Sequence, residues 1–166
     1  MKNIFLVCLI LALSACGWQL RGTSSSQTPE LSPAYALIQL ENMDDQELKN
    51  EIRLALAQSG MTIMRDAPAQ IHIDSFSITP TLSLVDNKGI AAEYILDGEL
   101  KASISHDHYQ KQTISVVATE RYTENTDRVM ASDLEQQSKY QQIKRIAALR
   151  LVERISKLKP VQELQR

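Results

Sequence analysis

The chain has 166 residues, with 18 basic against 20 acidic side chains and a formal net charge of −2. That length gives one domain with a real core and not obviously two. A mildly acidic balance argues against nucleic acid as the main partner, because nucleic-acid binding normally shows as a basic domain.

The first residues read as a lipoprotein signal peptide. Lys2 is the positive start, Ile4 to Leu13 form an apolar run, and Leu13-Ser14-Ala15-Cys16 closes it with small residues before a cysteine. The run is too short for a bilayer, which takes about twenty residues. Residues 1–15 are therefore expected to be removed. Cys16 would then carry a thioether-linked diacylglyceryl group and an amide-linked acyl chain such as palmitate, and two or more chains give lasting attachment where one is marginal. Gly17 rather than Asp follows, so the expected address is the outer membrane, lipid-anchored. Cys8 leaves with the signal, so the remaining chain has no thiol pair for a disulfide and no cysteine-based metal site.

Residues 16–33 form a tether, Ser/Thr/Pro-rich from Gly22 to Pro33. A single domain follows over 34–159, and 160–166 is a polar tail. Ala34 to Leu40 has strand character. Asp44, with Glu47 three residues on, has the form of a capping box for a helix ended by Gly60. Leu48, Ile52, Ala55 and Leu56 make its apolar face. Met61 to Met64 is a short strand candidate. From Ile71 and Ile73 to Phe76 and Ile78 the alternation slips by one, which predicts a bulge near Ser75. Asp86-Asn87-Lys88-Gly89 is turn chemistry, with Gly89 at positive φ. Ala92 to Ile104 alternates cleanly, its even-numbered residues apolar, and Thr113 to Tyr122 returns after a turn at Ser105 to His108. Ser132 with Glu135 is a second capping box, opening a helix to about Lys157 that Pro160 stops. The expected fold is α+β: a two-layer sandwich of two helices on a mostly antiparallel four-stranded sheet.

The residues offer little chemistry. His106 and His108 stand two apart at a hairpin tip with no third ligand nearby, and His72 reads as a wet-face strand residue, so no metal is expected. Catalytic and phosphate-cradling motifs are missing, so neither an enzyme nor a cofactor is expected. The basic run Lys144, Arg145, Arg150, Arg154, Lys157 and Lys159 reads as a solvated helix face, with contact to an anionic glycolipid or a partner's acidic wall as the sharper alternative. Lys88, Arg121 and Arg128 are further candidate cations.

Cys16-Gly17-Trp18-Gln19-Leu20-Arg21-Gly22 resembles the start of the mature LptE family, the lipopolysaccharide-assembly lipoproteins. Gly89 to Tyr94 (GIAAEY) is similar to that family's segment after its central hairpin turn, and Asp133 to Gln136 (DLEQ) fits the entry to its last helix. The resemblance implies two helices on a four-stranded sheet and no enzymatic activity. It also implies a plug seated one to one in the barrel of LptD, the outer-membrane lipopolysaccharide translocon, assisting barrel assembly and binding lipopolysaccharide. Family members hold lipopolysaccharide phosphates with cations at the hairpin tip and before the last helix. Lys88 matches the first position approximately, and Ser132 stands at the second, where Arg128 of the same loop is the substitute cation. The alternative from a different class is a free outer-membrane lipoprotein that binds another small ligand or peptidoglycan.

Overall fold

The structure, a computed structural model, describes residues 32–85, 87, 89–124 and 129–161. All of them lie in one compact unit, Leu31–Arg166. The signal peptide, Cys16 and most of the tether lie outside the described residues.

A 3-10 turn at Pro33–Tyr35 leads into β1 (Leu37–Leu40), α1 (Gln46–Gln58), β2 (Thr62–Ile63), β3 (Ala69–Val85), β4 (Ala91–His106), β5 (Tyr109–Thr123) and α2 (Val129–Lys157). The sheet order is β2-β1-β3-β4-β5. β3, β4 and β5 form an antiparallel meander. β1 lies parallel to both β2 and β3, because the chain crosses over through α1 between β1 and β2. The α+β expectation holds, with five strands where four were expected. The fifth is β2, two residues long, inside the Met61 to Met64 stretch read as a short strand candidate.

The expected alternation in β4 is present. Leu96, Leu100, Ala102 and Ile104 are buried, and opposite them on β5 so are Ile114, Val116 and Ala118. These side chains, with Ile38 and Ile71, meet Leu48, Ile52 and Leu56 of α1 and Ile143, Leu151 and Ile155 of α2 in one core. Burying a side chain of that size stabilises by about 1.5–3 kcal/mol. The phase slip near Ser75 is a register shift between Ile73 and Ser75. It keeps Ile73 and Phe76 on the same face, packed against the core. Gly89 has φ +78° and Gly60, just past α1, has φ +81°, both as their turns require.

Two helix starts differ from the sequence expectation. Asp45 rather than Asp44 caps α1, its Oδ1 accepting from the Glu47 and Leu48 N–H groups at 3.1 and 3.0 Å. Either aspartate satisfies the local pattern. Lys144 of α2 reaches Asp45 at 2.9 Å, a long-range partner that no local pattern reveals. α2 starts at Val129, three residues before Ser132, so Ser132 is buried inside the first turns rather than capping them.

Candidate functional site

One end of the sheet gathers the β3–β4 turn, the end of β5 and the start of α2. The ladder fixes this: Val85 pairs with Ala91, Leu84 with Glu93, and Glu93 in turn with Thr123. The Glu124 N–H then donates to the Ala92 carbonyl at 3.0 Å, drawing the chain that leaves β5 against the start of β4. Tyr94 and Tyr122 stack across the two strands, ring centroids 5.3 Å apart at 10°. Gln136 of α2 donates to the Tyr122 hydroxyl at 3.3 Å. Burial, followed by the Glu124 carboxylate, pushes both tyrosine hydroxyls above their ordinary range. Glu93 accepts from Ser83 Oγ at 2.9 Å and from Arg121 at 3.2 Å, so Arg121 is held in an ion pair.

The same end exposes apolar side chains. Leu82, Leu84, Val85 and Ile90 stand open around the hairpin, and Met130 and Leu134 of α2 are 83% and 69% exposed. Their placement has a common cause. α1 begins at Gln46, beside Lys144 and Gln141 of α2 through Asp45 and Glu47. Met130, Leu134, Gln137 and Gln141 follow at helical spacing on that same side of α2, before α1 begins. Pro80 and Leu82 pair with Leu96 and Tyr94, so they lie on the helix-bearing face of the sheet, and both are exposed. β1 covers β3 only over Ala69–Ile71. The distal half of β3 and the first turns of α2 thus leave apolar side chains exposed at this end of the sheet.

Cys16, Lys88 and Arg128 all lie outside the described residues. The described backbone that flanks the two cations, Val85 and Gly89 on one side, Glu124 and Val129 on the other, comes together at this end. His72 is an exposed strand residue, as expected, paired with Glu41 and lying 3.8 Å from Asp74. His106 Nδ1 accepts the His108 N–H at 3.1 Å, and its ring packs on Tyr109 with centroids 4.6 Å apart. Among the described residues no group of three or more His, Cys, Asp or Glu is placed to hold a metal ion. No helix among them is long and apolar enough to cross a membrane.

No protein-family model matches this chain, and no curated protein matches it in sequence. Solved structures match its fold. The rare lipoprotein B of Shewanella oneidensis superposes with a TM-score of 0.64 at 17% identity, over 72% of this chain and 92% of that one. A minor lipoprotein of Acinetobacter baumannii gives 0.62 at 14%, over 79% and 98%. Lipoprotein B of Nitrosomonas europaea gives 0.56 at 14%, over 84% and 90%. The fold is shared with these lipoproteins.

The basic run of α2 is not one solvated face. Lys144, its side chain 14% exposed, is tied to Asp45 at 2.9 Å and Glu47 at 2.6 Å, and so joins the two helices. Arg150 donates to the Val117 carbonyl on the outer edge of β5. Arg154 and Lys157 line a groove of about 780 Å³ beside that edge. Helical spacing alone could have separated Lys144 from Arg150, Arg154 and Lys157, but not named their partners.

Proposed function

We propose that this chain is an outer-membrane lipoprotein of the LptE type, anchored through lipid on Cys16, that lodges in an LptD-type barrel, assists its assembly and binds lipopolysaccharide. The protein is not an enzyme in this reading; it holds and hands on a ligand. Support comes from the CGWQLRG start, the lipobox before it and a fold shared with lipoproteins.

The observation that carries the reading is the convergence at one end of the sheet. Lys88 and Arg128 belong to the two connections that start and finish there, and exposed apolar side chains gather at the same end. A lipopolysaccharide head presents phosphates beside acyl chains, which calls for cations next to exposed apolar surface. Charge-assisted contacts of this kind are worth about 1.5–3 kcal/mol each when desolvated.

The test is a purification from detergent-solubilised outer membranes. A plug should emerge one to one with a large barrel. Lys88→Asp with Arg128→Asp should lose lipopolysaccharide pull-down and keep the barrel. Recovery of the wild type without any barrel would favour a free lipoprotein that binds another small ligand or peptidoglycan.

A further inference from the structure

We propose that the outer edge of β5, overhung by the C-terminal half of α2, is a docking groove for an extended acidic segment of a partner protein, which adds to the sheet as a sixth strand. This site is separate from the end that bears Lys88 and Arg128, and it does not rest on lipopolysaccharide binding.

Among the described residues β5 is the last strand of the sheet, laddered to β4 alone. The Val117 carbonyl accepts from Arg150, which stands outside that ladder, so Val117 turns its backbone groups outward. In an antiparallel strand the N–H and C=O of one residue point the same way and alternate from residue to residue. Ser115 and Thr119 therefore face outward with Val117. The edge already takes an added chain at its start, where the Gln110 N–H donates to the Val161 carbonyl at 2.9 Å. Beyond that point a groove runs between β5 and α2, lined among others by Ser115, Val117, Arg150, Arg154 and Lys157.

Charge selects the occupant. Among the described residues lining the groove, two guanidiniums and an ammonium face a single carboxylate, Glu153, already bonded to Lys157 at 2.5 Å. An extended peptide matches the backbone repeat of Ser115 and Val117, and its acidic side chains on the helix side would meet the cations. A phosphate would use the cations and leave the edge amides unmatched. Arg150 sits where a sixth strand's N–H would bind Val117, so it acts as a latch. On docking it gives up that carbonyl for an incoming carboxylate, a stronger partner.

The experiment uses the full lipidated chain in detergent and a fluorescein-labelled octapeptide of alternating Glu and Val, with a Lys and Val peptide as control. The acidic peptide should bind with an affinity that falls as salt rises, and should slow amide exchange at Ser115 and Val117. Arg154→Glu with Lys157→Glu should weaken it at least tenfold. Val117→Pro should do the same at unchanged melting temperature, since the amide it removes faces away from β4. Lys88→Asp with Arg128→Asp should leave peptide binding intact, which separates this test from the lipopolysaccharide one. Equal binding of both peptides would overturn the proposal. So would binding that survives Val117→Pro, or capture of phosphatidylglycerol vesicles through Arg154 and Lys157 with no protection of the edge amides.

Discussion

A Cβ placed on Gly98 would lie 2.2 Å from Ile143 Cγ2, so the bare backbone at the middle of β4 is what lets α2 settle on the sheet. Gly98→Ala should cost about 1–3 kcal/mol through forced displacement of a buried side chain. Ile143→Ala removes the Cγ2 methyl that the added carbon would strike, so the double mutant should lose less than the two single costs added together. Denaturant unfolding of all four proteins checks this. Strict additivity would mean that the two positions do not press on each other.

The facing of β4 makes a sharper contrast. Leu96→Asp puts a carboxylate at a fully buried position and should unfold a domain whose total stability is roughly 5–15 kcal/mol. Lys101 is exposed and paired with Glu99 at 3.1 Å, so Lys101→Asp should cost under about 1 kcal/mol. Melting temperatures by circular dichroism decide between the two, and a Leu96→Asp protein as stable as wild type would refute the assigned face.

The junction between the helices should be pH-dependent. Burial pushes Asp45 up, but the Leu48 N–H, Lys144 and the Glu47 N–H outweigh it and hold the carboxyl below its ordinary range. Lys144 lowers Glu47 as well. Burial would lower Lys144 itself, yet its two carboxylate partners leave it raised. Depressed acids stabilise above their unfolded pKa and lose that contribution as pH falls through the folded one. A raised lysine loses its contribution as pH climbs past 10.5. Lys144→Met should therefore be less stable than wild type by about 1 kcal/mol at neutral pH. The gap should close as pH drops below the ordinary carboxylate values of 3.8 and 4.5. A gap that persists at pH 2 would point to lost packing instead.

Lipid attachment has a direct readout. An alkyne-bearing fatty acid should label the wild-type chain and not Cys16→Ala, which should also leave the outer membrane fraction. Label retained in the mutant would overturn the lipoprotein reading.

Much of the fold was legible in the sequence because its periods are local. The even-numbered apolar residues of β4, the slip at Ser75 and the positive φ of Gly89 each needed a few residues of context. What was missed depends on distance along the chain. The parallel pairing of β1 with both β2 and β3 joins stretches on either side of α1. Asp45 is tied to a residue 99 positions away, and Arg150 to one 33 positions away. The cations proposed to hold lipopolysaccharide came from resemblance, and the described residues supply their surroundings rather than their contacts.

The short pairing of β1 with β3 bears on how the molecule would carry a load. It spans three registers, Ile38 with Ala69 to Leu40 with Ile71, and it closes a segment of about thirty residues, whereas the meander is built from neighbouring hairpins. The β1-α1-β2 unit should thus be the last to dock and the first to open. If the chain hangs from Cys16 as proposed, any pull through the tether arrives at Ser32 and falls on β1. The weak joint gives first, like a fuse, and the long hairpins that frame the far end keep their shape.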